Sequence, residues 1–171
     1  MEQESRARLL KFTTFILIIG IVFLAALYSC ALGDDEMYLI PKGYSGRVLV
    51  FFNSQNGHPV RHENRKRVYE IPPNGVLRTQ FDFNEGWTNP DEFFYYDGSG
   101  GRTPIPYVDY RDARQDRVQA CCLGTGGAGV AENQPHVKFA EFYVGTKADI
   151  DAAFAASEKN PPGVIFKRDG R

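Results

Sequence analysis

Arg47-Val48-Leu49-Val50-Phe51-Phe52 is the stretch on which the fold turns. Its β-branched and aromatic side chains suit a pleated strand. Successive side chains of a strand face opposite ways, and here both sets are apolar: Val48, Val50 and Phe52 on one side, Leu49 and Phe51 on the other. A strand with one wet face would alternate with polar residues. This one is expected to be covered on both faces, and so to lie centrally in its sheet.

Working outward, the chain reads as short strands and frequent turns. Tyr38-Leu39-Ile40-Pro41 leads into the Gly-punctuated turn Lys42–Gly46, and Asn53–Gly57 carries an Asn-Gly turn signal. Val60–Glu63 and Arg67–Ile71 read as a hairpin whose basic tip, Arg61 to Arg67, is solvated. Beyond Pro72-Pro73-Asn74-Gly75, the run Val76–Phe83 places Leu77, Thr79, Phe81 and Phe83 on one face and Arg78, Gln80 and Asp82 on the other. That period of two predicts a half-buried antiparallel strand. Glu92–Tyr96 is a strand, Asp97–Gly101 a hairpin turn, and Arg102–Tyr110 the return. Pro104 and Pro106 assign that return to an edge, because proline cannot donate to a ladder.

Arg117–Leu123 predicts a strand, Gly124-Thr125-Gly126-Gly127-Ala128-Gly129 a flexible loop, and His136–Val144 another strand. A helical period appears only afterwards. Thr146 followed by Asp149 resembles a capping box, and the helix is expected over about 147–159 until Asn160-Pro161-Pro162-Gly163 stops it. Val164-Ile165-Phe166 then reads as a last short strand. The expected fold is mainly β: an antiparallel β-sandwich-like domain with one C-terminal helix and an N-terminal signal or membrane helix.

That N-terminal segment is Phe12 to Cys30, an apolar run preceded by Arg6, Arg8 and Lys11. A basic start, an apolar middle and small residues before a cut describe an export signal, while the length also approaches that of a spanning helix. Leu27-Tyr28-Ser29-Cys30 resembles the bacterial lipobox, in which the cysteine is lipidated and becomes the first mature residue. The chain is expected to comprise a lipoprotein signal peptide or membrane anchor (1–29), a tether (30–36) and an exported β domain (37–171). Attachment runs through lipidated Cys30 or through an uncleaved helix. In either case the basic flank stays cytoplasmic and the remainder faces the periplasm or cell exterior.

After position 29 the chain has 142 residues, enough for one domain with a core, with 17 basic and 19 acidic side chains. This near balance argues against a nucleic-acid partner. Beyond Cys30 only Cys121 and Cys122 remain. Neighbours on a strand point to opposite faces, so one inward and one outward thiol are expected, and no disulfide framework exists.

Some residues resemble a family of bacterial envelope lipoproteins that is a domain of unknown function. They are Tyr38-Leu39-Ile40-Pro41 with Gly43-Tyr44 and Gly46, then Arg67-Val68-Tyr69-Glu70-Ile71-Pro72 with Asn74-Gly75, and Tyr143-Val144-Gly145-Thr146. The resemblance spans most of Met37 to Thr146. It implies an exported, mostly β module, and it brings no catalytic residues.

No constellation of catalytic groups stands out. His58 and His62 share a parity beside Glu63, but zinc wants further ligands and His136 is the only other histidine; no metal site or cofactor is expected. Cys121 or Cys122 with His136 would need an electropositive setting that only Arg117 offers locally. The glycine-rich run lacks the helix a phosphate loop requires. Acids Asp82, Glu85, Asp91 and Glu92 surround the loop of Trp87, next to Phe93–Tyr96. The candidate ligand-binding residues are therefore Trp87, Tyr95, Tyr96 and Tyr107, an aromatic platform of the kind that meets a glycan or a protein. The expected function is binding or structural interaction in the envelope, with an envelope protein or glycan as partner. The alternatives are an envelope hydrolase or a helix-anchored subunit of a larger complex.

Overall fold

The computed structural model describes residues 14–21, 33–85, 91–129 and 136–168. The chain forms two compact units, residues 1–33 with 85–88, and residues 34–84 with 89–171. In the first, residues 14–21 are helical (α1) with exposed side chains. Among the described residues no helix is long and apolar enough to cross a membrane. Cys30 lies outside the described residues.

The second unit is built on two five-stranded sheets. Sheet I contains β1 (Asp35–Pro41), β3 (His62–Glu63), β4 (Lys66–Glu70), β6 (Glu92–Tyr96) and β7 (Arg102–Ile105), in the order β3-β4-β1-β6-β7. Sheet II contains β2 (Gly46–Phe51), β5 (Val76–Arg78), β8 (Tyr107–Val108), β9 (Gln119–Ala128) and β10 (Val137–Gly145), in the order β5-β2-β10-β9-β8. Both sheets are mixed, which corrects the antiparallel expectation. β1 runs parallel to both β4 and β6, β5 parallel to β2, and β8 parallel to β9.

β2 behaves as its composition requires. Val48 and Val50 enter the main core with Tyr38 and Ile40 of β1, while Leu49 and Phe51 pack on the opposite face against Ile165 and Phe166. The two sheets meet where Tyr38 of β1 touches Phe142 of β10, ring centroids 4.9 Å apart, and where Phe93 of β6 touches the same ring at 5.1 Å. Fully burying side chains of this size contributes roughly 1.5–3 kcal/mol each. The chain crosses from sheet I to sheet II at Pro106, with β7 and β8 at the outer edges, as the prolines require.

Three further expectations are corrected. The Val76–Phe83 strand ends at Arg78, although Leu77, Thr79 and Phe81 keep their inward parity and are buried. The glycine-rich run is no loop through Ala128, because β9 continues to that residue and pairs with β10 from Val137↔Ala128 to Glu141↔Gly124. Glycine is required within it: a Cβ on Gly126 would lie 2.8 Å from the ring of Phe139. Val164-Ile165-Phe166 belongs to a helix, α3 (Pro162–Arg168), not to a strand. Proline at its first position costs no hydrogen bond, and the helix turns Ile165 and Phe166 onto the apolar face of β2, Phe166 to Phe51 at 5.1 Å.

Helix α2 (Lys147–Ser157) begins with the expected capping box. The Asp149 amide donates to Thr146 Oγ1, and the Thr146 amide donates to Asp149 Oδ2 at 2.9 Å. Its Ile150 and Ala153 cover Cys121 and Tyr143 on the outer face of sheet II.

Candidate functional site

A cleft of about 420 Å³ opens where the turn after β2, strand β5, the start of β10 and helix α3 converge. Its rim carries the amides and hydroxyl of Asn53-Ser54-Gln55-Asn56, and its walls carry Phe52, Phe83 and Phe166. The basic side chains Arg78, His136 and Lys138 also line it.

Local sequence explains each position. β5 is in register with β2, Phe51↔Arg78, so Arg78 is set beside the apolar face that α3 covers. Its guanidinium lies over the Phe166 ring, Cζ 4.0 Å from the centroid, and donates through Nη2 to the Phe166 carbonyl. Its Nε–H is buried with no hydrogen-bond partner among the described residues. Lys138 follows Val137 at the outset of β10 and places Nζ 5.3 Å from the Phe83 centroid. Among the described residues no carboxylate forms an ion pair with Arg78, His136 or Lys138. The arrangement holds cations on aromatic faces, an attraction that itself consumes no N–H donor.

The residues singled out from sequence lie elsewhere. Trp87 falls outside the described residues. Tyr95 is half-buried against the core and donates from Oη to the Tyr44 carbonyl at 2.6 Å, while Tyr96 packs on the outer face of sheet I with Met37, Leu39 and Val68. As neighbours on one strand, the two point apart. Tyr107 is 48% exposed and stacks on Phe93 at 5.5 Å. The structure does not gather these three tyrosines onto one face. Arg78 was legible only as an outward polar position, and His136 only as an isolated histidine. Nothing local in the sequence joins them, because the turn and strands that unite them are far apart in the chain.

A second polar cluster is buried at the start of β1. Glu36 is 8% exposed and accepts from Tyr38 Oη at 2.6 Å, Tyr69 Oη at 3.0 Å and Asn84 Nδ2 at 2.9 Å. Asp91, one of the acids noted near Trp87, faces this cluster. Burial, then the charges of Glu36 and Asp35, push its carboxyl up to about 7. Its Oδ1 is buried without a partner among the described residues. Three donors on Glu36 make it a fixed structural acceptor, and the tyrosines it holds are core residues.

The cysteine pair departs from expectation. β9 and β10 lose register between Glu141 and Tyr143, and Cys122 takes φ 62 at that bulge. Cys121 is buried, Cys122 half-buried, and both pack in the cluster beneath α2. The bulge breaks the alternation that would have sent them to opposite faces. Burial, then the neighbouring Cys122 thiol, pushes Cys121 far up, away from the thiolate that chemistry needs. Among the described residues no group of three or more His, Cys, Asp or Glu side chains gathers to hold a metal.

A family model described as "Family of unknown function (DUF6843)" matches residues 33–154. A solved structure from Bacillus anthracis, described as a "Putative Lipoprotein", is similar at 22% identity, covering 70% of this chain and 75% of that one with a TM-score of 0.50. At that identity the likeness concerns the fold. No curated protein matches the chain.

Proposed function

The chain belongs to the DUF6843 family, whose function is unknown, and from that premise we propose that it is a lipid-anchored exported module of the bacterial cell envelope, acting by binding through a sandwich-like β domain. One juxtaposition carries the reading: the lipobox-like Leu27-Tyr28-Ser29-Cys30 stands directly before the family-matched region and the first strand. Four residues, 31–34, separate Cys30 from β1, a reach of at most about 14 Å. Such a spacer would hold the domain against the membrane surface. The similar Bacillus anthracis structure bears the description "Putative Lipoprotein", which points the same way. Several acyl chains on one cysteine anchor stably where a single chain does not. Binding rather than catalysis is supported by the cleft, whose walls contribute cations, amides and aromatic faces.

The test is the mass of the mature N-terminus in native protein and in Cys30→Ala, together with fractionation of bacterial cells expressing each. Lipid processing predicts a native chain that begins at an acylated Cys30, and a Cys30→Ala chain that retains residue 1. A native chain still beginning at Met1 would refute the lipid anchor and leave the uncleaved helix. Cross-linking from intact cells then asks whether a defined envelope component is captured by the native form only.

A further inference from the structure

We propose that the cleft is an oxyanion site that takes a phosphate ester, either a free phosphorylated polyol or a phospholipid headgroup. The inference rests on the reading of the domain as a binding module and names the chemistry of its ligand.

Several cations of the domain are neutralised by a neighbouring carboxylate. Arg47 pairs with Glu141 at 2.8 Å, Arg67 with Asp34 at 2.8 Å, Arg102 with Glu63 at 2.8 Å, and Lys147 with Asp151 at 2.5 Å. Arg78 and Lys138 are held differently. They come from separate strands of sheet II, line one cleft with His136, and among the described residues meet aromatic rings instead of carboxylates. The overall charge of the chain is only −1, so this is a local concentration of basic groups and not a share of a basic surface. A guanidinium has five N–H donors; that of Arg78 spends one on the Phe166 carbonyl, and its buried Nε–H has no partner among the described residues. Unmet donors in a cleft that a second cation also lines favour holding an anion.

The number and placement of the donors select the anion. A carboxylate offers two coplanar oxygens, which one guanidinium fork can satisfy. A phosphoryl group offers oxygens in tetrahedral directions, matched by basic side chains that reach the cleft from β5 and from the start of β10. The cleft, at about 420 Å³, lies in the range of roughly 300–1,000 Å³ typical of small-molecule sites, with room beyond the phosphate itself. The Asn53–Asn56 rim supplies neutral donors and acceptors suited to hydroxyl and ester oxygens.

The experiment titrates the full-length chain, held in neutral detergent, with sn-glycerol 3-phosphate by calorimetry, with glycerol and acetate as comparators. One-to-one binding of the phosphate ester is expected, with affinity at least tenfold weaker in Arg78→Gln and in Lys138→Gln. Lys138 is exposed, so its variant retains the fold even if the Arg78 change loosens α3. Repeating the titration in nanodiscs identifies the source. Phosphatidylglycerol discs that compete with the soluble ester, where phosphatidylcholine discs do not, would identify a headgroup; equal titration in both would identify a free ester. Absence of glycerol 3-phosphate binding in detergent and in phosphatidylcholine discs would overturn the proposal, as would binding untouched by both variants, or acetate binding as tightly. Running the titration on Cys30→Ala as well keeps the two readings apart. A failed anchor changes the N-terminal mass and leaves the titration intact, whereas a failed cleft does the reverse.

Discussion

Gly75→Ala strikes the point where two connections from sheet I to sheet II, β1 to β2 and β4 to β5, close on each other. Gly75 has φ +76, and an added Cβ would lie 1.9 Å from Tyr44 Oη and 2.7 Å from the Arg47 carbonyl. Tyr44 cannot simply yield, because its hydroxyl donates to the Arg47 carbonyl and its ring packs against the main core. Burial pushes that phenol up to about 12, so it stays a neutral donor throughout the accessible range. The left-handed backbone costs alanine about 1–2 kcal/mol. Displacing the hydroxyl forfeits a hydrogen bond of about 1 kcal/mol. A loss of about 2–3 kcal/mol is therefore expected, read by urea unfolding with an unchanged m-value. In a Tyr44→Ala background the ring clash is gone, so Gly75→Ala should cost about 1 kcal/mol less there, a coupling that a double-mutant cycle resolves. A cost below about 0.5 kcal/mol in the native background, or equal costs in both, would refute the reasoning.

Three other outcomes are expected. Asp91 is held near 7 in the folded chain against about 3.9 unfolded, so the native state binds the extra proton. Its stabilising contribution is complete below the unfolded value and disappears as pH rises towards 7. Discounting for solvent screening, wild type should lose about 1–2 kcal/mol relative to Asp91→Asn between pH 4 and pH 8; parallel pH profiles for the two would contradict this. Thr146→Ala removes one half of the capping box that starts α2 and should cost about 1 kcal/mol in the same unfolding assay. In the Cys30→Ala chain, iodoacetamide at pH 8 should label half-buried Cys122 and reach Cys121 only after urea is added, because burial holds the Cys121 thiol neutral; equal labelling in native buffer would count against it.

The legible parts of this fold were those governed by local chemistry. Apolar residues on both parities of Val48–Phe52 foretold the two covered faces of β2, and Thr146 with Asp149 foretold the start of α2. The separated resemblance motifs also make physical sense together, since Tyr44 from the first closes over Gly75 from the second. What could not be read depended on partners far along the chain. Alternation in Val76–Arg78 is the same whether the neighbour runs parallel or antiparallel, so the direction of β2 against β5 was hidden. Gly126 looked like loop composition, yet it is bare because the Phe139 ring needs the space. Ile165 and Phe166 became helical because the face of Leu49 and Phe51 needed a cover. The cleft shares this fate: Arg78 and Lys138 line one cleft only once β5, β2 and β10 are laid side by side.

The place of β1 in sheet I has a mechanical meaning. Anything that tugs on the chain from its N-terminal side transmits tension straight into Asp35, the first residue of that strand. There β1 is flanked by two parallel neighbours, five residues in register on either side, from Asp35↔Lys66 to Leu39↔Glu70 and from Met37↔Glu92 to Pro41↔Tyr96. Load along the strand axis is then shared as shear among both ladders at once, since the hydrogen bonds of a sheet lie across the strands. The domain cannot be unzipped one bond at a time from that end, so it hangs by its innermost strand and resists traction where an edge strand would peel.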